Sequence, residues 1–319
     1  MKSTIASAFI LAIGLAIGCT DSKPKSNVSQ YKIAYNVYYD TAHDNYEVFV
    51  MNADGTGQKN ISNAPGVEWV YYAYQDKLYF ISDRDTTHRM YFLYEMDADG
   101  NHVRKVTDLR LEDSWMSSRN NGQELIVSGR IGKDIRYQLF LVDVKTGTYT
   151  QLTTDTAASY ADPHFSPDGK QIVFRHRKNR RNYQDEKAEI WIMDVDGQNL
   201  KQLTHYPEDT TAKWHSYHAG PPFWEPNQNI ISYISRQRGK HNIFTMTPDG
   251  SNVKLLTPDT LSEGWHSWSP DGEWLAFDVS TRDGYKFDIY LRHRDGGGQQ
   301  KLTSDWRSEM APVFVLPPK

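Results

Sequence analysis

The sequence predicts an all-β fold, a six-bladed β-propeller with four strands in each blade, from two repeated patterns. In the first pattern an apolar strand meets an Asp-Gly or Thr-Gly turn and returns as a strand that ends in Leu-Thr or a close variant. Such a hairpin cannot bury its apolar face alone, and closing the units into a ring leaves the fewest exposed sheet edges. Six copies begin 45 to 53 residues apart, at 48–62, 93–107, 139–153, 190–204, 243–257 and 289–303.

The first 18 residues have the features of a secretory signal. Lys2 precedes an uncharged apolar run, 5–17, that is too short to span a bilayer as a mature helix. The run closes on Leu-Ala-Ile-Gly-Cys, and the segment resembles the signal of bacterial lipoproteins. This resemblance implies that Cys19 is the acylated first residue of the mature protein, which would anchor the chain to a membrane. The alternative is a buried or incidental cysteine. Residues 19–30 are polar and predict a flexible tether.

The second pattern is a Ser-Pro-Asp-Gly turn that lies between the hairpins, at 166–169 and 269–272. Proline presets the first torsion of such a turn, aspartate bonds its own backbone, and glycine accepts a positive φ. Degraded copies occupy the same place in other repeats, for example at 120–122. Each turn joins two further strands, so every repeat has enough strands for a four-stranded blade.

The first repeat lacks the inner strand at its own beginning, and the end of the chain supplies one. Residues 311–317 repeat the pattern of 162–167. We therefore expect the C-terminal strand to enter the first blade and close the ring. On this interpretation 31–319 form one propeller, after the signal at 1–18 and the tether at 19–30.

Composition narrows the function classes. The formal net charge is -4, so no overall field attracts polyanions, and nucleic acid is not an expected partner. Cys19 is the only cysteine, which excludes an internal disulfide. The sequence contains no Gly-rich phosphate-binding loop, no Gly-x-Ser-x-Gly motif and no Cys-His pair, so nucleotide chemistry and serine hydrolysis have no support. We expect a monomer.

Together these motifs resemble the repeats of the TolB-like propellers, the periplasmic propeller of the Tol envelope system and its relatives. The resemblance covers 31–319 and is carried by the Ser-Pro-Asp-Gly turns and by Ile-Trp-Ile-Met-Asp-Val-Asp-Gly at 190–197 with Gln-Leu-Thr at 202–204. It implies a six-bladed fold and a bacterial envelope protein that faces the periplasm or the cell surface. These motifs are specific for a fold and not for a function.

A set of polar residues stands just before the predicted inner strands, which line the central channel of a propeller. Several carboxylates around one narrow opening repel one another unless a cation, a proton or a polar ligand lies among them. We therefore interpret the set as a ligand-binding ring at one mouth of the channel. The alternative is a group of solvated or hydrogen-bonded loop residues. The set comprises Glu68, Glu112 with Asp113, Tyr160, His218, Glu263 and Glu309.

Three histidines suggest a metal site. His215 and His218 lie in a long aromatic loop, 214–224, and His266 lies in the next repeat. Imidazoles from these positions would bind one divalent transition metal, with Glu263 or Glu309 adding a carboxylate. The alternative is three histidines that pack on aromatic rings and bond to the backbone.

Two short segments, 214–224 and 263–272, also resemble the oligogalacturonate lyases. That resemblance implies a histidine-bound divalent metal that holds a uronate while a base removes the proton beside its carboxylate. It assigns no catalytic residue in this chain.

Two functions therefore remain open. The first is a lipid-anchored, non-enzymatic propeller that binds a protein or glycan partner over its channel face, where flat rings would stack on sugars or anchor a protein loop. The second is a metal-dependent lyase or hydrolase that acts on acidic oligosaccharides. The aromatic residues expected near the channel mouth are Trp224 and Trp265, together with Trp69, Tyr71, Tyr72, Trp115 and Tyr217.

Overall fold

Six antiparallel sheets form the ring, in a computed structural model that describes residues 27–132, 135–178, 187–207, 219–257, 260–281 and 286–318. The predicted six-bladed propeller is confirmed. The predicted signal and residues 19–26 of the predicted tether lie outside the described residues. Val28–Gln30 form one turn of 3-10 helix just before the first strand. No helix in the described part of the chain has the length and hydropathy needed to cross a bilayer.

The strands are numbered along the chain. Blades 1 to 3 contain β1 (Lys32–Asp40), β2 (Asn45–Asn52), β3 (Lys59–Asn60), β4 (Glu68–Tyr74), β5 (Lys77–Ser82), β6 (Phe92–Asp97), β7 (Arg104–Lys105), β8 (Arg110–Leu111), β9 (Ser117–Arg119), β10 (Glu124–Ile131), β11 (Ile135–Asp143) and β12 (Tyr149–Gln151). Blades 4 to 6 contain β13 (Ser159–Phe165), β14 (Gln171–Arg177), β15 (Glu189–Asp194), β16 (Lys201–Gln202), β17 (Ala219–Trp224), β18 (Ile231–Ser235), β19 (Asn242–Met246), β20 (Lys254–Leu255), β21 (Glu263–Trp268), β22 (Trp274–Ser280), β23 (Phe287–His293) and β24 (Gln300–Lys301). The last strand, β25 (Glu309–Val315), completes blade 1 in the order β25-β1-β2-β3.

Each blade runs from an inner strand at the channel to a short outer strand, and blade 3 differs in one respect. Its inner position is shared by β8 and β9, which both pair with β10. The other inner strands are β25, β4, β13, β17 and β21.

The Leu-Thr ending of each repeat has a direct structural role. The backbone N–H of the apolar residue donates to the carbonyl oxygen of an apolar residue in the third strand in all six blades, as in Leu203 N–H to Ile190 O at 2.8 Å. The hydroxyl that follows accepts from the same third strand, as in Ile190 N–H to Thr204 Oγ1 at 2.8 Å. The motif therefore fixes the outer strand against its neighbour, which explains why it recurs in every copy.

The hairpin glycines set the spacing between blades. Gly55 and Gly250 have φ of 86° and 87°, and a Cβ there would lie 2.6 Å from Leu302 O and 2.7 Å from Leu203 O in the preceding blade. A side chain would strain the backbone and push the blades apart. The turn residue is glycine for both reasons.

The closing strand bonds to three blades. β25 pairs with β1 antiparallel, from Lys32↔Val315 to Val37↔Glu309. The Ala311 N–H donates to Asp278 Oδ2 of blade 6 at 2.8 Å, and the Leu316 N–H donates to Gln75 O of blade 2 at 2.8 Å. All seven residues of β25 are buried.

Removing β25 should open the ring. A chain that ends at Ser308 loses the burial of Met310, Val313, Phe314 and Val315, each worth about 1.5–3 kcal/mol. That sum is comparable with the whole free energy of unfolding of a domain, about 5–15 kcal/mol. We expect loss of cooperative thermal unfolding and gain of dye binding to exposed apolar surface.

A chain that ends at Leu316 is the matched control, since Pro317 and Pro318 are exposed. It should unfold like the full chain. Cooperative unfolding of the chain that ends at Ser308 would show that the ring does not depend on β25.

Candidate functional site

The described residues form a cavity of about 540 Å³ at the end of the channel where the inner strands finish and their turns begin. We call it the turn-end cavity. All six blades contribute to its lining, including the closing strand through Val313 and Phe314. Its other lining residues are Tyr71, Tyr72, Ala73, Tyr74, Gln75, Trp115, Ser118, Arg119, Asn120, Asn121, Gly122, His164, Phe165, Ser166, Pro167, Asp168, Gly169, Phe223, Trp224, Pro226, Ser267, Trp268, Pro270 and Leu316.

Aromatic rings fill the channel behind the cavity. Trp115 of blade 3 meets Phe223 of blade 5 with 4.9 Å between ring centroids, and both side chains are buried. Trp69 of blade 2 meets Trp265 of blade 6 at 6.0 Å. These blades are not neighbours in the ring, so the contacts cross the channel axis. The turn-end cavity therefore ends on an aromatic floor.

Two rings of the lining are held in place by hydrogen bonds. Trp268 Nε1 donates to Ser232 Oγ at 3.0 Å, and Ser232 Oγ lies 2.8 Å from His266 Nε2. Tyr72 shares a hydrogen bond of 2.8 Å with Ser118 Oγ. Trp268 and Tyr72 are both partly exposed. They present fixed aromatic surface to the cavity.

The charged residues of the lining are paired. Arg119 donates to Glu124 and to Gly169 O. Asp168 accepts from Ser166 Oγ at 2.6 Å, and its Oδ2 lies 3.7 Å from Lys170 Nζ. Burial lowers the pKa of His164 to about 4, so this imidazole is neutral at pH 7. The described lining is aromatic and polar but carries no unpaired charge.

Two of the acids predicted to surround one mouth of the channel form ion pairs with arginines. Glu68 is fully buried; its Oε1 accepts from Ser82 Oγ at 2.6 Å and its Oε2 from Arg84 Nη2 at 2.8 Å. Burial raises the pKa of Glu68 to about 6, against the opposing effect of Arg84. Glu112 is also buried and accepts from Arg130 Nε and Arg136 Nη2.

The other two acids lie at the junction between one blade and the next. Glu263 is buried at the start of β21 and accepts from Thr257 Oγ1 at 2.6 Å. Glu309 is buried at the start of β25, and its Oε2 has no hydrogen-bond partner among the described residues. Burial raises the pKa of both carboxyls to about 7. None of the four acids lines the turn-end cavity, and their ligand-binding role stays a prediction.

The predicted aromatic residues are gathered in the channel. Trp224 is buried in the lining of the turn-end cavity, with Tyr71, Tyr72 and Trp115. Trp265 is partly buried behind it, against Trp69. Tyr217 lies outside the described residues.

The predicted metal site falls mostly outside the described residues, which include neither His215 nor His218. His266 is fully buried, with its Nδ1 unpartnered among the described atoms. Burial lowers the pKa of His266 to about 3, so it is neutral as a metal ligand must be. Within the described ranges no three His, Cys, Asp or Glu side chains are arranged to hold a metal ion. Cys19 also lies outside them.

Sequence reasoning missed His164, Asn120 and Asn121 as lining residues. The predicted ligand-binding ring consists of residues that precede the inner strands. The cavity is lined instead by residues at the ends of these strands. The Pro-Asp-Gly turns mark those ends in the sequence and would have located them.

Comparisons with known proteins agree with this architecture, although no protein-family model matches the chain. The structure superposes on TolB from Acinetobacter baumannii with a TM-score of 0.69 and 18% identity, covering 92% of this chain and 68% of that one. This chain has the fold of a TolB-like six-bladed propeller. A putative TolB from Agrobacterium tumefaciens matches with a TM-score of 0.60 and 16% identity, covering 91% and 99%.

The oligogalacturonate lyase of Vibrio parahaemolyticus also shares the propeller fold, with a TM-score of 0.51 and 14% identity over 87% of this chain and 73% of that one. Among curated proteins, an uncharacterized peptidase of Bacillus subtilis is 29% identical over 131 residues, or 41% of this chain. The Tol-Pal system protein TolB of Francisella tularensis is 27% identical over 197 residues, or 55% of this chain. The matches span 19% and 42% of these two relatives' own lengths.

The buried acids predict that this TolB-like propeller is more stable at mildly acidic pH than at alkaline pH. A carboxyl whose pKa is raised by folding holds its proton more tightly in the folded state, so stability falls as pH rises from its unfolded pKa to its folded pKa. For Glu263 and Glu309 this window runs from about pH 4.5 to about pH 7. Between these pH values the free energy of unfolding should fall less in Glu263→Gln and in Glu309→Gln than in the unmodified chain. We expect each difference to be roughly 1–3 kcal/mol, measured by denaturant unfolding.

Asp249→Asn is the control for this pH series. Hydrogen bonds from Thr247 and Ser251 lower the pKa of this exposed carboxyl to about 2. Its contribution to folding stability is therefore lost only in strong acid. If the free energy of unfolding falls as much in Glu263→Gln as in the unmodified chain, Glu263 is not a cause of the pH dependence.

Proposed function

We propose that this chain is a cell-envelope binding protein that holds a partner at the channel face of its propeller and catalyses no reaction. The observation that carries the proposal is the turn-end cavity, which is lined by all six blades and closed behind by aromatic rings. A concave, largely apolar cavity with a few polar groups is the usual form of a binding site. The charged residues of the described lining, Arg119 and Asp168, are already paired with Glu124 and Lys170.

The envelope location and the lipid anchor belong to the same proposal. The signal at 1–18 and Cys19 support them, as does the likeness to a protein named for the Tol-Pal system. The chain enters the propeller at the cavity side, because Lys32 at the start of β1 pairs with Val315 at the end of β25. Gln30 Nε2 contacts Asp271 in the turn of blade 6 at 3.4 Å. An anchor at Cys19 would therefore be joined to the propeller at its cavity side.

Photo-crosslinking from the cavity tests this function. p-Benzoyl-phenylalanine at Pro167, which is exposed in the lining and has no positive φ, should give a discrete crosslinked species in intact cells. The same residue at Val253, which is 48% exposed on the outer hairpin of blade 5, is the control and should give none. Equal crosslinking from both positions, or none from Pro167, would contradict binding at this face.

Fractionation of the same cells tests the anchor. The unmodified chain should sediment with the membranes because its N-terminal cysteine is acylated, and Cys19→Ala should not be acylated or retained. Release of both chains into the soluble fraction would contradict anchoring without bearing on the cavity.

The second function is a metal-dependent lyase or hydrolase for acidic oligosaccharides. One observation favours it, namely the buried, neutral His266 with an unpartnered Nδ1. The likeness to an oligogalacturonate lyase supports a shared fold and gives no support for a shared activity.

Metal analysis of the purified full chain separates the two functions. The binding function predicts no tightly held transition metal and no unsaturated product from uronate oligosaccharides. A stoichiometric metal that is lost in a His218→Ala, His266→Ala double variant would favour the enzyme. His205→Ala is the matched control, because this residue was not among the predicted ligands.

A further inference from the structure

We infer that the turn-end cavity binds uncharged sugar residues of a glycan, with the rings of Trp268 and Tyr72 as stacking surfaces. The inference rests on the proposed binding function and names its ligand class. Three features of the lining support it: two fixed rings, free amide groups, and the pairing of every charge.

The indole of Trp268 is held as a platform. Its Nε1 is bonded to Ser232, and the guanidinium of Arg294 lies 6.0 Å from the ring centroid over one face. Trp268 remains partly exposed and lines the cavity. The C–H groups on the flat face of a pyranose carry slight positive charge and pack well on the negative face of an aromatic ring. Because the ring is already fixed, stacking costs little side-chain entropy.

Tyr72 supplies a second platform from blade 2. Its hydroxyl is bonded to Ser118, and its ring stacks on Tyr79 with 6.0 Å between centroids and 28° between planes. Blade 1 lies between blades 2 and 6 in the ring. The two platforms therefore stand on either side of the closing strand, whose Val313 and Phe314 complete this wall.

Two asparagine side chains lie in the same lining. Asn120 and Asn121 have φ of 54° and 56°, a conformation that asparagine accepts more readily than most residues. Neither side-chain amide is hydrogen-bonded within the described residues, and Asn121 is exposed. An amide offers both a donor and an acceptor, which matches a sugar hydroxyl that needs both.

The pairing of charges disfavours an acidic ligand. Arg119 is committed to Glu124 and Gly169 O, and Asp168 accepts from Ser166 and from the Lys170 N–H at 3.1 Å. A uronate or phosphate that entered the cavity would lose water without gaining an unpaired counter-charge. A neutral sugar loses no charge solvation.

Calorimetric titration of the purified full chain tests the ligand class. The probes are maltohexaose, cellohexaose, xylohexaose and chitohexaose, with hexagalacturonate as the acidic comparison. We expect binding of at least one neutral probe, with equal affinity at low and high salt because no ion pair forms. Asn121→Gly, which tolerates the positive φ, should weaken binding, and Trp268→Ala should weaken it by about tenfold or more.

Two variants separate binding from folding. Trp268→Phe keeps a ring at the platform and should retain more affinity than Trp268→Ala. Trp306→Ala removes an indole that is 78% exposed and does not line the cavity, and it should bind like the unmodified chain. Equal affinity of the unmodified chain and the Trp268 and Asn121 variants would overturn the inference.

The outcomes for the inference and for the proposed function are distinct. Preference for hexagalacturonate, or affinity that falls with salt, would overturn the neutral ligand and leave the binding function standing. Failure to bind any of the oligosaccharides, with a crosslink still formed from Pro167, would overturn the sugar inference alone. Failure of both experiments would overturn both.

Discussion

The structure depends on the pairing of the last strand with the first. β25 lies beside β1 and bonds to Asp278 of blade 6, and Leu316, the residue after β25, bonds to Gln75 of blade 2. Without this strand blade 1 would lack its inner edge, and the channel would lose one of its six walls. Because Val313 and Phe314 of the same strand line the turn-end cavity, ring closure and the cavity depend on one element.

The polar residues near the channel divide into two groups with different roles. Glu68 and Glu263 are buried; Glu68 bonds to Arg84 within blade 2, whereas Glu263 bonds to Thr257 of the preceding blade, so these acids stabilise one blade and one junction between blades. The cavity instead presents rings and amides whose charged neighbours are already paired. The proposed binding role suits this arrangement, since preorganised groups recognise a ligand at a low cost in side-chain entropy.

Part of the site was predictable from residue types. Tryptophan and tyrosine at the inner strands predicted an aromatic channel, and Trp224 and Tyr72 do lie in the cavity lining. The acids were harder to place, because a sequence shows that a carboxylate stands before a strand but not whether a hydroxyl or guanidinium meets it. Glu263 finds its partner in the preceding blade, a contact that depends on how two repeats stack.

By itself the sequence determined the number of blades, the turns within them and the closure by the C-terminal strand, because each copy carries its own local bonds, such as Leu203 N–H to Ile190 O. Only the tertiary structure decided which end of the channel is open as a cavity and which rings meet across it. Trp115 and Phe223 are more than 100 residues apart in the chain and belong to blades that are not neighbours. Their contact follows from the radius of the closed ring, which no single repeat encodes.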